Sequence, residues 1–394
     1  MRRARHALAF AALVLALPAD ALADPPKLSD MVDELQRVQV QIAQGDKAAY
    51  ADQLKRLKTI GAAIAAAKPE TWKDKREADS LVIYIMSGGS PGEVVPLLKD
   101  ETIVESERSL VRGALAYVTN HEADAIGLIG QADLTTLDAR LAGQIAFARS
   151  VLATKRDKKA AVELLDWARL LAPGGLVEEA ALRREIALVA ETRDAHRVAM
   201  LTRQYSTRFA ASLYAADFFA EFARTIARLG LADDPANYLL LSNSAASLPP
   251  DSRRGFLLTL AKAAVVNARF DAASAAAAEA LRGARPESPE QARARLYLDA
   301  GRIFSDGYDA ALADLQGLTA SKFDRSDAGL LASVRNVAAA LRVAPSARAV
   351  EAQDGASGGS AREKVDEPAQ TIDRAYEALK RTAHLADASQ GGAP

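Results

Sequence analysis

Helical periodicity runs through almost the whole chain and constrains its fold more than any other feature. Apolar residues at steps of three and four mark one helical face near the start: Leu28, Met31, Val32, Leu35 and Val38. Similar segments follow as far as Leu341, and glycine, proline and capping residues interrupt them at short intervals. The spacing of these signals predicts roughly fifteen helices joined by short turns.

One apolar run, LVIYIM from Leu81 to Met86, has the composition of a strand. It follows TWKDKREADS without a break, so we interpret it as the buried end of a helix that stops at Gly88-Gly89. The segment Ser288-Pro289-Glu290-Gln291 is a capping box with proline at the first helical position, which marks a helix start. The sequence therefore predicts an all-α fold.

Weak internal repeats indicate how the helices are arranged. ARFDAASAAAAEAL matches DGYDAALADLQGLT at an offset of 38 residues, with Phe270 aligned to Tyr308, and a looser copy begins at Arg156. An aromatic residue followed by paired alanines and a leucine is similar to the second half of a tetratricopeptide-type hairpin. We predict a tetratricopeptide-like α-solenoid of stacked helical hairpins over residues 24–342, without a strict period.

The first 23 residues have the pattern of a secretory signal peptide. A basic stretch, MRRARH, precedes an apolar stretch, ALAFAALVLALP, and Ala21-Leu22-Ala23 fits the cleavage pattern. The apolar stretch is shorter than the roughly 20 residues that span a bilayer. We expect residues 1–23 to be removed on export.

Composition changes again after Leu341. Glycine, serine and charged residues predict a flexible linker over residues 343–366. The segment 367–394 is expected to hold a short amphipathic helix and a disordered end. The apolar stripe of that helix consists of Ile372, Tyr376, Leu379 and Ala383.

Composition also excludes several classes of chemistry. The chain has no cysteine, which excludes disulfides, thiolate metal sites and cysteine nucleophiles. After export it would carry 47 basic and 50 acidic residues without a basic tract, so nucleic acid is not an expected partner. His121, His196 and His384 lie in distant segments and predict no metal site or catalytic triad. We predict no catalytic, cofactor-binding or metal-binding residues.

One enzymatic interpretation rests on two short motifs. Lytic transglycosylases carry a catalytic glutamate in an ES dipeptide and a GLMQ motif downstream, and here Glu105-Ser106 precedes GLIGQ from Gly127. The sequence around both motifs departs from that pattern. Glu105 also lies among charged residues typical of a solvated helix face, whereas a glycosidase acid needs a dry cleft.

Aromatic residues are concentrated in YSTRFAASLYAADFFAEFA, from Tyr205 to Ala223, which holds six of them. Spacings of four place several rings on common helical faces, so we expect Phe209, Phe218 and Phe222 to form a helix–helix seam. Arginine beside tyrosine is typical of protein–protein contacts. The candidate partner-binding residues are Arg203, Tyr205, Arg208 and Tyr214.

The longer segment from Glu178 to Ala223, which includes this aromatic stretch, resembles the MotC family of periplasmic motility proteins of alphaproteobacteria. The matching residues are Arg183-Arg184-Glu185-Ile186, Arg203-Gln204-Tyr205, Arg208-Phe209, Ser212, Tyr214, Phe218 and Phe222. VIYIMSGGSPGEVVPLL and LYLDAGRIFSDGYDAALADLQ are also similar to segments of that family. The resemblance covers most of residues 28–341.

The resemblance implies a non-enzymatic periplasmic protein that is required for flagellar rotation. Its implied partner is the periplasmic portion of the flagellar stator protein MotB, which it would bind and stabilise as a dedicated chaperone. No cofactor and no residue-level binding site are implied. Two alternatives stay open from the residues: a general periplasmic scaffold unrelated to motility, and a cell-wall lytic transglycosylase.

Overall fold

A computed structural model describes residues 27–305 and 307–354 of the chain, and these ranges contain helices and no strand. The helices are α1 (Leu28–Ala43), α2 (Lys47–Ala66), α3 (Lys75–Met86), α4 (Pro91–Lys99), α5 (Glu105–Val118), α6 (Glu122–Ile129), α7 (Ala139–Ala153), α8 (Lys158–Leu171), α9 (Leu176–Ala190), α10 (Ala195–Arg208), α11 (Ala215–Leu229), α12 (Pro235–Ser244), α13 (Pro250–Val266), α14 (Phe270–Arg282), α15 (Pro289–Arg302), α16 (Tyr308–Gly317) and α17 (Arg325–Asp354). The all-α prediction is confirmed.

Helices from α9 onward stack in two layers. In each layer, every helix contacts the next one. One layer consists of α9, α11, α13, α15 and α17, and the other consists of α10, α12 and α14. Buried alanines such as Ala273, Ala276 and Ala277 let adjacent helices approach closely, while larger side chains fill the space between layers. This arrangement is the predicted solenoid of stacked hairpins.

The first nine helices depart from a regular solenoid because the chain closes on itself. Helix α1 contacts both α3 and α9, and α7 also contacts both α3 and α9. The early turns of α1 bury Val32 and Leu35 in the N-terminal core, whereas Val38 and Ile42 of its later turns pack against Leu176 of α9. In a regular solenoid each repeat touches only its neighbours. Here the first helix joins the N-terminal core to the middle of the chain.

Helix ends follow the signals read from the sequence. Ser288 caps α15 by accepting a hydrogen bond from the backbone N–H of Gln291 (3.1 Å), as the predicted capping box requires. The run Leu81–Met86 is the buried end of α3, as predicted. It stops before Gly88, whose φ of +95° favours glycine, and a side chain at Gly89 would overlap the ring of Tyr84.

The aligned repeat positions have the same place in their hairpins. Phe270 begins α14 and Tyr308 begins α16, and each of these helices packs against α15. Of the paired alanines that follow, Ala272 and Ala273 are both buried, whereas in the second copy Ala311 is buried and Ala310 is exposed. A larger side chain at the buried positions would separate the helices.

The C-terminal boundary differs from the prediction. Helix α17 continues to Asp354, so residues 343–354 are helical where the sequence predicts a flexible linker. Four of these twelve residues are alanines, which have the highest helix propensity and outnumber the single helix-disfavouring proline, Pro345. The signal peptide at 1–23, the rest of the linker and the amphipathic helix at 367–394 lie outside the described residues. Within the described ranges, no helix combines the length and apolar character that crossing a membrane requires.

Candidate functional site

The aromatic segment lies across α10 and α11 and forms most of a helix–helix seam. Phe209 and Phe222 are buried, and Phe222 stacks on Phe256 of α13 with ring centroids 6.0 Å apart. Phe218 is half-buried, and its ring lies 4.3 Å from that of Tyr205. The seam prediction is therefore confirmed for Phe209 and Phe222, and Phe218 lies at its edge.

Tyr205 is a core residue. Its side chain has no exposed surface, and its hydroxyl donates a hydrogen bond to Glu179 on α9 (2.8 Å). Burial raises the pKa of the Tyr205 hydroxyl, and the Glu179 carboxylate raises it further, so the hydroxyl stays protonated as a donor. The prediction that Tyr205 contacts a partner is wrong, because its side of α10 is the side that packs on α9.

Two of the other candidates are also engaged within the fold. The guanidinium of Arg208 forms an ion pair with the buried Glu178 at 2.7 Å, although the Arg208 side chain remains partly exposed. Tyr214 is half-buried, and the guanidinium of Arg183 lies over its ring at 4.8 Å from the centroid. Both side chains therefore contribute to holding α9 against the turn between α10 and α11.

A charge network on α9 explains these contacts. Glu178, Glu179 and Glu185 are all buried, and each is paired with polar groups from neighbouring helices. Glu185 lies between Arg169 of α8 and Arg197 of α10, with Arg197 at 3.0 Å. Burial raises the pKa of Glu185, and the charge of Arg169 opposes that shift. Buried carboxylates need such partners to offset their desolvation.

Several of the residues that carry the family resemblance are members of this network. Arg183, Glu185, Gln204, Arg208 and Ser212 all bond to it, and Ser212 donates to Glu179 at 2.6 Å. Their spacing along the sequence is thus set by the packing of α8, α9 and α10. These five residues hold this part of the fold together and do not form a docking face.

Arg203 is the one candidate of the four whose side chain is directed to solvent without a partner in the described ranges. It is exposed on α10 and forms no ion pair with any residue of those ranges. Met200, one turn earlier on the same exposed side, is 61% exposed. A free guanidinium beside an exposed methionine is a combination that is enriched at protein interfaces.

Met200 belongs to a set of large exposed apolar side chains that the sequence interpretation missed. The set, termed here the apolar row, consists of Trp167 (45% exposed) and Leu170 (75%) on α8, Met200 on α10 and Leu239 (58%) on α12. Single exposed apolar residues need no explanation, but a group of them, here on the alternate helices α8, α10 and α12, is a feature of interaction surfaces.

Side-chain contacts fix the level of α8, α10 and α12 relative to one another. Asp166 on α8 accepts a hydrogen bond from Arg197 on α10 (3.2 Å), and Ser206 on α10 donates to the carbonyl of Ser244 on α12 (2.6 Å). A second contact between α8 and α10, from Arg169 to Gln204 (2.9 Å), rises in number on both helices, so these two helices run in the same direction. Counting from the contact between Asp166 and Arg197 places Leu170 within about one turn of the level of Met200.

The transglycosylase motifs do not form a glycosidase site. Glu105 is exposed in the first turn of α5, while Ser106 and Gln131 line an open groove of about 360 Å³. The buried carboxyl group beside this groove is Glu107, which pairs with Lys75 at 2.9 Å.

Glu107 also lies beside the carboxyl group of Asp79 of α3. Burial and the hydrogen bond to Glu107 raise the pKa of Asp79 to about 7, and Lys75 opposes that shift. Burial tends to raise the pKa of Glu107, but hydrogen bonds from Lys75 and Asp79 outweigh it and lower that pKa. Two carboxyl groups in direct hydrogen-bond contact are closer than the roughly 5 Å or more that glycoside cleavage requires. The geometry indicates a structural contact that links α3 to α5.

Histidines add no further candidate. His121 and His196 are exposed, and His384 lies outside the described residues. In the described ranges, no group of three or more histidine or acidic residues is arranged to hold a metal ion.

Comparison with known proteins identifies the family. The family model described as chemotaxis protein MotC matches residues 1–391, which is almost the whole chain. The chain belongs to the MotC family. A curated relative, the chemotaxis protein MotC of Rhizobium meliloti (strain 1021), is 32% identical over 197 residues. The match covers 49% of this chain and 45% of that relative, so the chain spans about half the length of the curated MotC protein it matches. No solved structure matches the chain.

Membership in the MotC family relates the chain to motility and chemotaxis. The resemblance read from Arg183 to Phe222 is confirmed, and a scaffold unrelated to motility is not favoured. The apolar row and Arg203 are the exposed features of this MotC-family chain that are typical of a protein-binding surface.

Proposed function

We propose that the chain is a non-enzymatic motility protein of the periplasm, exported by removal of residues 1–23. It would bind and stabilise the periplasmic portion of the stator protein MotB, as a chaperone, and so support flagellar rotation. The observation that carries the proposal is the apolar row with Arg203 beside it, on a protein of a motility family.

The energetics of the apolar row favour a protein partner. Burying a leucine or methionine side chain contributes about 1.5–3 kcal/mol relative to leaving it exposed. Leu170 and Met200 have most of their surface in water and would gain a large part of that on binding. Tryptophan, methionine and arginine are the residue types enriched at the centre of protein interfaces.

Affinity measurements with the purified periplasmic portion of MotB test this surface. Leu170→Asp and Met200→Asp should each weaken binding by about 2 kcal/mol or more, roughly 30-fold in Kd, with little change in melting temperature. Leu54→Asp is the matched control, because Leu54 is 49% exposed on α2 and lies outside the row. Equal affinity of all three variants and the wild type would place the binding surface elsewhere. Absence of binding by the wild type would refute MotB as the partner.

Export and the absence of lytic activity have their own tests. Amino-terminal sequencing of the periplasmic protein should begin at Asp24, and an intact Met1 in the membrane fraction would contradict export. The purified protein should leave the turbidity of a cell-wall suspension unchanged. Clearing that Glu105→Gln abolishes would establish the lytic alternative instead.

A further inference from the structure

The side of α2 that faces solvent carries lysines and no acidic residue. This outer face consists of Lys47, Tyr50, Ala51, Leu54, Lys55 and Lys58, and all six are exposed. At 3.6 residues per turn they lie within an arc of about 140° of the helix surface. The other side of the helix buries Ile60 and Ile64 in the N-terminal core. The outer face is therefore free of contacts with that core.

The lysines of the outer face have no counter-charge within the fold. None of the three forms an ion pair with any residue of the described ranges, and the same holds for the exposed Lys68, two residues beyond the end of α2. Asp52 is the acidic residue of α2, but it lies about 60° beyond Lys55 and accepts a hydrogen bond from Arg56 (2.8 Å). The outer face thus has three uncompensated positive charges along about 16 Å of helix, and Lys68 adds a fourth.

The choice of lysine on this face favours an anionic lipid surface over a protein. The chain has 35 arginines and 15 lysines, yet the outer face has no arginine. Protein interfaces are enriched in arginine and depleted in lysine, since the planar guanidinium forms paired hydrogen bonds and is more weakly hydrated. A lysine ammonium is a hydrated point charge on a flexible stem, and groups of about four to eight basic residues on an amphipathic helix are typical of binding to anionic lipids.

Two large side chains supply an apolar contribution beside the lysines. Tyr50 is 47% exposed and Leu54, one turn later, is 49% exposed. Tyrosine is enriched at bilayer interfaces, because its ring contacts the apolar boundary while its hydroxyl stays hydrated. The buried side of α2 holds the helix in the fold, so these two side chains can enter the headgroup layer but the helix cannot. Binding would be shallow, reversible and sensitive to salt.

We propose that the outer face of α2 binds the surface of a bilayer that contains anionic phospholipids. Its lysines contact the headgroup phosphates, and Tyr50 and Leu54 enter the headgroup layer. The contact holds the protein on a membrane without spanning it. The proposal goes beyond the binding of MotB and does not depend on it, because the apolar row and Arg203 lie on other helices.

A fluorescent label on the outer face tests this contact in the full chain. The chain has no cysteine, so Ala51→Cys provides a single attachment site for an environment-sensitive fluorophore. Vesicles of phosphatidylglycerol and phosphatidylcholine in equal parts should shift its emission to shorter wavelength, and vesicles of phosphatidylcholine alone should not. The same label at the exposed position Ala310 of α16, introduced by Ala310→Cys, should respond to neither. This local readout separates α2 from residues 1–23, whose basic and apolar stretches can also bind lipid.

Neutralising the lysines measures the electrostatic contribution. Each lysine near an anionic bilayer contributes about fivefold to partitioning, so Lys55→Gln with Lys58→Gln should raise the lipid concentration for half-maximal response about 25-fold. Lys155→Gln with Lys159→Gln is the matched control, because it removes the same charge from exposed lysines near the start of α8 and should change that concentration less than about twofold. Equal losses in the two double variants, or equal responses to the two kinds of vesicle, would refute the proposal.

Salt separates the two contributions to binding. Raising the salt from about 0.1 M to about 1 M shortens the Debye length from about 10 Å to about 3 Å and should abolish the response of the wild type. Leu54→Ser should weaken the response about fivefold at low salt, because about half of a leucine side chain no longer leaves water. A response that persists unchanged at high salt would contradict binding through the lysines.

Two other occupants of the outer face have separate signatures. If vesicles give no response, weaker MotB binding by the double variant of Lys55 and Lys58 would assign the face to an acidic protein surface. If vesicles give no response and the wild type sediments as a dimer that this variant dissociates, the face binds a second copy of the chain. Either result would overturn the proposal. A vesicle response without MotB binding would refute the partner named above and leave this inference intact.

Discussion

Tyr205→Phe removes one hydroxyl from the buried charge network and leaves the ring in place. In the wild type this hydroxyl donates to Glu179 at 2.8 Å, and both side chains are fully buried. A hydrogen bond to a charged group contributes about 1.5–3 kcal/mol. Glu179 keeps the hydroxyl of Ser212 at 2.6 Å and the guanidinium of Arg183 at 3.6 Å, so it is not left without partners. We therefore expect a loss of about 2 kcal/mol, in the lower part of that range.

Truncation to alanine should cost more than loss of the hydroxyl. The Tyr205 ring lies 5.8 Å from Phe209, 4.3 Å from Phe218 and 5.7 Å from Phe219, so Tyr205→Ala also empties part of the seam. Core aromatic residues replaced by alanine lose about 3–5 kcal/mol. Arg203→Ala, on the exposed side of α10, should change stability by less than about 0.5 kcal/mol.

Urea unfolding followed by far-ultraviolet circular dichroism measures these free energies. The melting temperature of Tyr205→Phe should fall by about 4 °C, at roughly 2 °C per kcal/mol for a chain of this size. Ser212→Ala in a double-mutant cycle should show coupling with Tyr205→Phe, because both hydroxyls donate to the same Glu179 oxygen. If Tyr205→Phe unfolds within 0.5 kcal/mol of the wild type (about the accuracy of such comparisons), the network does not stabilise the fold as argued.

Three further predictions concern other parts of the fold. Gly45→Ala should destabilise the protein by about 2 kcal/mol or more, because Gly45 has φ +97° and an added methyl would overlap the carbonyl oxygen of Ala211. Gly127→Ala should stabilise the protein by up to about 1 kcal/mol, because no other atom lies within 4 Å of the added methyl group and alanine favours a helix. Equal changes in melting temperature for Gly45→Ala and Gly127→Ala would contradict the reasoning. In the folded protein Asp79 keeps its proton up to about pH 7, whereas in the unfolded chain it loses the proton near pH 3.8. The contribution of Asp79 to the free energy of unfolding should therefore decline as the pH rises from about 4 to 7. The loss is at most about 1.4 kcal/mol per pH unit, and Asp79→Asn should flatten the dependence of the unfolding free energy on pH; an unchanged slope would show that another group titrates. Asp327→Ala should cost about 3–5 kcal/mol in urea unfolding, because this buried carboxylate binds Lys262, Arg293 and Tyr297; a loss under 1 kcal/mol would show that these contacts are replaceable.

Signals from adjacent residues are sufficient to predict where the helices begin and end. They do not predict which face of a helix is buried. The ends of α3 and α15 depend on Gly88 and on the capping box at Ser288, and both are features of adjacent residues. Burial of Tyr205 depends on Glu179, which is 26 residues away, and no local pattern specifies which side of α10 will meet α9.

The candidate site was predicted only in part for the same reason. Arg203 was identified from its place beside tyrosine, while Trp167 and Leu170 were included in a repeat motif as ordinary apolar positions of a hairpin. Their exposure follows from the rotation of α8 about its own axis, here called its phase, which directs Ala161, Leu165 and Ala168 to the core. That phase is set by packing against α7 and α9, and therefore by contacts between segments that are distant in the sequence.

The contact between α1 and α9 has a consequence for how the chain is made. Val38 and Ile42 emerge early in synthesis, but Leu176, which covers them, is more than a hundred residues further on. At about 5–20 residues per second, the apolar end of the first helix waits on the order of ten seconds for its partner. Within the described ranges, α1 is thus fully covered only after eight further helices, α2 to α9, have been synthesised. Until α9 arrives, its uncovered stripe is a point at which the nascent chain can aggregate or be held by a folding factor.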